Sequence, residues 1–145
     1  MFSLTLFLHL TFAGLWLGCV LTETLFERAL LGQGRGPELL LADLHKRVDL
    51  FIEVPAFLAV FATGMLLYES AHMTPLLLAK LGFGLLAIIT NIYCVWLVVR
   101  RATAAHQGRW EQFAQLDRRQ HQFGAVVLVA LLLALALGGY NASNP

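Results

Sequence analysis

Four long apolar runs, separated by short polar breaks, organise this chain. The first fills Met1 to Leu30 and stops at Gly32-Gln33-Gly34-Arg35-Gly36-Pro37, after which Pro37-Glu38 suits the start of a second helix. Its opening stretch, Glu38 to Asp49, alternates polar and apolar residues at helical spacing, and the apolar part continues to about Tyr68. This pattern predicts a helix that begins outside a bilayer and enters it near Asp49. A turn over Ala71 to Pro75 leads to a third run, Leu76 to Val99. A basic loop, Arg100 to Arg109, then precedes a fourth helix from Trp110 to about Gly139.

Runs of this length reach the roughly 20 residues that cross a hydrocarbon core. Barrel strands would alternate over about ten residues, which these runs do not, so the expected class is all-α. The first run is too long for a signal-peptide core and has no Lys or Arg ahead of it, so a spanning helix is expected in place of a cleaved leader. With short connections the simplest packing is an up-down four-helix bundle, one domain over residues 1–145. Nine of the ten Lys and Arg flank the first and third connections, and the N-terminus, second connection and C-terminus carry none. The positive-inside rule therefore places both termini on the outer, periplasmic side of a bacterial inner membrane.

Composition sharpens this picture. Of 145 residues 59% are apolar and only 13% charged, with mean hydropathy +0.72, so the expected surroundings are membrane lipid. A net charge of +1 without a basic patch excludes nucleic acid as a partner. Cys19 and Cys94 both lie in apolar runs and form neither a disulfide framework nor a zinc motif.

Ionisable groups at membrane depth are costly, which makes them the candidate functional residues. His9, Phe12, Trp16, Val20, Glu23 and Glu27 share one stripe of the first helix; His45, Asp49 and Glu53 follow at i+4 on the second. Lys80, Gly84, Ala87, Asn91 and Cys94 line the third, and Asp117, His121 and Gly124 the fourth. Topology gathers Glu23, Glu27, His45, Asp49, Glu53, Asn91, Asp117 and His121 toward the cytoplasmic end. His9 lies about 20 Å away at 1.5 Å per residue, near Lys80 at the outer end.

So many carboxylates cannot all be ionised together without compensation. The cluster either binds a metal, holds protons, or pairs with Arg28, Lys46, Arg47, Arg118 and Arg119. Glu and His converging from facing helices build carboxylate metal sites in bundles, which makes Glu23, Glu27, His45, Asp49, Glu53 and His121 candidate ligands for iron, zinc, manganese or copper. His45 and His121, on different helices at similar depth, are alternatively two axial heme ligands. His72 and His106 read as solvated, and Lys80 as either snorkelling beside Glu69 or holding an anionic group. Gly14 and Gly18, opposite the polar stripe, suit close helix packing inside the bundle or in a homodimer. Trp96 and Trp110 suit an interfacial belt.

His9 followed by Trp16 and Gly18, then Pro55-Ala56 after Lys46-Arg47, and Lys80 before Tyr93-Cys94, resembles the HemJ-type protoporphyrinogen oxidases over the first two thirds of the chain. The resemblance implies a small four-helix membrane oxidoreductase carrying heme b, with His9 and Lys80 as the catalytic pair, His9 and Trp16 at the cofactor, and a tetrapyrrole or quinone substrate. Leu78, Asn91 and Ile92 stand where that family carries histidines. The chain is also similar to the small membrane proteins of the copper-resistance D type. Three functions are thus expected as rivals: an oxidoreductase, a carboxylate and histidine metal-binding protein, and a non-catalytic accessory subunit or proton conduit.

Overall fold

The computed structural model describes residues 2–68 and 73–143. All regular structure among them is helical: α1 (Phe2–Leu30), α2 (Arg35–Val48), a π-helical turn (Asp49–Glu53), α3 (Val54–Tyr68), α4 (Pro75–His106) and α5 (Trp110–Ser143). Because α2, the π turn and α3 run on without a break, these elements make four long rods. Each rod is long and apolar enough to cross a membrane. Residues 71 and 72 of the expected turn, with His72 and Glu69, lie outside the described residues; Thr74 closes that turn by accepting the Leu77 N–H through Oγ1 at 3.1 Å, with Pro75 at the first helical position.

Two tight loops join the rods at one end of the bundle. Gly32 (φ 78°) and Gly34 (φ 108°) turn the chain between α1 and α2, and Gly108 (φ 68°) turns it between α4 and α5. Such left-handed backbone disfavours any residue with a Cβ, which is why glycine punctuates both loops. The same end is dressed by cation–π contacts, Arg35 lying 4.3 Å from the Trp110 ring centre and Arg100 5.2 Å from that of Trp96.

The rods pair unequally. α4 and α5 form the most extensive contact, α1 packs on α3, and α2 packs chiefly on α4. The second rod therefore crosses the bundle, meeting α4 with its first half and α1 with its second. Small residues make the α2–α4 approach close: Ala42, Ala102, Ala104 and Ala105 are all buried there with Leu97, Phe113 and Leu116. A second apolar cluster, Trp16, Ala56, Phe57, Ala87, Cys94, Val127, Ala130 and Leu131, fills the middle of the bundle. α1 and α5 touch only lightly.

The distribution of polarity is inverted relative to a water-soluble bundle. Phe7, Phe51 and Ile89 are exposed, whereas Glu23, Glu27, His45, Asp49, Glu53, Asn91, Arg101, Asp117 and Gln120 are buried. Apolar outside and polar inside is the arrangement that a hydrocarbon solvent rewards.

Two boundaries differ from the sequence expectation. The third helix runs on to His106, seven residues past Val99, so Arg100 to His106 belong to α4 and not to a loop. The second rod also carries the π turn, in which the Val54 N–H reaches back five residues to the Asp49 carbonyl. Pro55 accounts for its position: proline has no N–H for the Phe51 carbonyl and its ring would strike that carbonyl in a regular helix.

Candidate cation and ion-pair centre

The π turn aligns three acidic and basic side chains. In a regular helix, residues four apart drift by about 40° around the axis. The wider turn advances by about 80° per residue, so Glu53 swings back by about 30° and falls nearly in line with His45. His45, Asp49 and Glu53 consequently all face the interior, at 2%, 1% and 3% exposure. From α1, Glu23 and Glu27 stand one turn apart and meet them. α5 supplies Asp117, Gln120 and His121, and α4 supplies Asn91, Cys94 and Arg101.

Arg101 holds one half of this centre together. Its side chain is wholly buried, and Nη1 donates to Asp117 Oδ1 at 2.5 Å and to Glu27 Oε1 at 3.2 Å. Nη2 lies 2.8 Å from His45 Nδ1. The guanidinium also lies 5.8 Å from the ring centre of Phe113, which closes the site toward the loops. His121 Nε2 reaches Glu27 Oε2 at 2.8 Å, while its Nδ1 lies 3.0 Å from the Asp117 carbonyl. Glu27, Asp117 and His121 have the spacing of a metal triad, but a protein cation already bonds two of the three.

The other half is richer in unsatisfied acceptors. His45 Nε2 lies 3.2 Å from Glu23 Oε2 and 3.6 Å from Asp49 Oδ1. Glu23, His45 and Asp49 form a second group with ligand atoms mutually within 4.8 Å; Glu53 flanks Asp49, and Asn91 flanks Glu53. Glu23 Oε1, Asp49 Oδ1, Asn91 Nδ2 and Gln120 Oε1 are buried without a hydrogen-bond partner. All four residues line a cavity of about 230 Å³, together with Cys94 and, on the α1 and α5 sides, Thr24 and Gly124. The exposed part of its lining, Thr24, His121 and Ala125, belongs to α1 and α5, and His121 has 45% of its side chain exposed.

The sequence-derived ligand set Glu23, Glu27, His45, Asp49, Glu53 and His121 is thus brought together in one place. The compensating cation was not among those expected: no ion pair among the described residues links Arg28, Lys46, Arg47, Arg118 or Arg119 to the cluster, and Arg101 takes that role. Assigning Arg101 to a loop hid it. The helical stripe Asn91, Cys94, Val98, Arg101, continued past Val99, would have pointed it inward. His106 closes the end of α4 in a 2.7 Å contact with Asp43 on the surface.

His9 and Lys80 occupy a separate place at the opposite end of the bundle from this centre. His9 Nδ1 lies 3.0 Å from Thr63 Oγ1, and Gly64 leaves the space against which the imidazole rests. Lys80 comes from α4, close enough for its charge to act on His9, and rests against Gly138. Trp16 sits in the apolar cluster, 5.7 Å from the Phe57 ring centre. Side chains added at Gly14 or Gly18 would meet nothing, so these glycines do not make room for another helix of this bundle.

Breaking a buried charge network strands the remaining partners, at a cost of roughly 3–5 kcal/mol. Arg101→Met should therefore lower unfolding stability in detergent by about that amount, leaving Glu27 and Asp117 uncompensated. Arg28→Met or Arg118→Met should cost less than about 1 kcal/mol, as exposed charges do. Thermal unfolding of the three variants side by side checks the ranking.

No family model, curated protein or solved structure matches the chain, and its functional reading therefore stands on the chemistry of these residues.

Proposed function

We propose that this is a multi-pass inner-membrane protein with both termini outside, whose bundle carries a divalent-cation centre near its cytoplasmic end. The observation that carries this reading is the set of unpartnered buried acceptors, Glu23 Oε1 and Asp49 Oδ1, facing one cavity beside Glu53. Buried acceptors without donors are rare because each costs desolvation energy with nothing returned. A cation supplies the missing partner for all of them at once. The exposed lining residues of α1 and α5, Thr24, His121 and Ala125, provide access from the side.

Protein purified without chelator should then contain one divalent metal per chain by mass spectrometry, and chelator should lower its unfolding temperature. Glu23→Gln and Asp49→Asn should each weaken binding by at least about 10-fold. Metal-free protein of unchanged stability, unresponsive to added manganese, iron, zinc or copper, would remove this reading. Orientation is tested independently: reporter fusions should place Gln33 and Gln107 in the cytoplasm, since Lys and Arg crowd that end. Either loop facing outward would reverse the sidedness of the centre.

A second reading is a membrane oxidoreductase resembling the HemJ type, acting at the other end. It is supported by Lys80 lying near enough for its charge to act on His9 from another helix, each of the two resting against a glycine. His9→Ala should abolish a Soret band, while Lys80→Met should leave absorbance intact and remove oxidase activity. Heme-free protein with full function in both variants would sink it.

A further inference from the structure

The identity of the cation turns on a hydrogen bond that does not touch it. Arginine carries only N–H donors and stays protonated, so His45 Nδ1 presents its lone pair to Arg101 Nη2 at 2.8 Å, a contact much shorter than the 3.5 Å from the same nitrogen to Glu27 Oε1. A ring that carries one proton then holds it on Nε2, where Glu23 Oε2 accepts it at 3.2 Å. Gln120 fits this tautomer with its side-chain amide turned over, which places Oε1 instead of the amide nitrogen 3.3 Å from Nε2 and lets it accept from Nε2–H. A ring nitrogen that carries a proton has no lone pair for a metal.

We propose that Arg101, by fixing this tautomer, withdraws His45 from the ligand set and leaves an all-oxygen site, Glu23, Asp49 and Glu53, for one hard divalent cation of the magnesium and manganese class. This rests on the cation reading of the same centre. Carboxylate and water ligands suit those ions, which keep much of their hydration shell. The cavity, about 230 Å³, has the room that several retained waters need. Glu23, Asp49 and Asn91, at 7%, 1% and 2% exposure, each aim an unpartnered polar atom at it. The second triad, Glu27, Asp117 and His121, takes no ion because Arg101 fills it, so the centre exchanges one cation and holds the other as part of the chain. His45 is a positioning residue, tying Arg101 to Glu23.

Manganese bound to the purified full-length protein tests this by pulsed electron paramagnetic resonance. The expected result is one Mn²⁺ per chain, displaced by excess Mg²⁺, with water-proton couplings and no directly coordinated ¹⁴N. His45→Gln keeps an acceptor for Arg101 and a donor for Glu23, and should hold Mn²⁺ within about threefold of the parent, whereas loss of a ligand weakens binding by about 10-fold or more. Imidazole ¹⁵N chemical shifts of the metal-free protein should report Nδ1 unprotonated and Nε2 protonated, a readout that needs no variant to fold. A strong ¹⁴N coupling, two Mn²⁺ per chain, or a proton on Nδ1 overturns the inference while leaving a cation centre in place. Stoichiometric zinc, iron or copper with no Mn²⁺ or Mg²⁺ bound overturns the inference alone, whereas binding of none of these ions removes the centre and the inference together.

Discussion

Burying several carboxylates in an apolar bundle is the constraint on which the rest of this structure depends. Glu23, Glu27, Asp49, Glu53 and Asp117 are all taken out of solvent within one end of the molecule, and like charges at low dielectric repel strongly. Arg101 answers for Glu27 and Asp117, and engages His45 as well. A guanidinium suits the task because its fork of donors meets several acceptors at fixed angles, which a lysine ammonium does not reproduce. What it leaves uncompensated, the Glu23, Asp49 and Glu53 side, is where the cavity lies.

The backbone is shaped to the same end. Were the second rod a regular helix, His45, Asp49 and Glu53 would wind progressively off the buried face. The π turn corrects the drift, and Pro55 supplies a local reason for the turn to occur there. Phe51, inside the same turn, is thrown outward and is 77% exposed, which is inexpensive in hydrocarbon. One irregular turn thus sorts acid inward and aromatic outward.

The two ends of the bundle differ in how they handle polarity. At the loop end, acids, imidazoles and a buried arginine compensate one another across all four rods. At the far end, His9 and Lys80 each rest against a glycine, and no carboxylate among the described residues is paired with either. Between them, Trp16, Phe57, Val127 and Leu131 fill the middle of the bundle with apolar packing. The chain therefore holds two polar regions of opposite character separated by an apolar layer.

Length and polarity of the apolar runs determined the helical class and the number of rods, because in hydrocarbon each backbone group must bond within its own helix and hydropathy alone marks such segments. Helical spacing likewise brought Glu23, Glu27, His45, Asp49, Glu53, Asp117 and His121 to one end, since polar residues inside apolar runs have only the interior to face. Tertiary structure alone decided which cation answers them. Arg101 stands beside Arg100 in a basic stretch that looks like a loop, and nothing local distinguishes the arginine that dives inward from the one that covers Trp96. The difference arises because α4 continues to His106 against α2 and α5, a contact between residues far apart in the chain. The π turn and the split of one acidic cluster into a filled half and an open half follow from the same packing, which periodicity at 100° per residue does not encode.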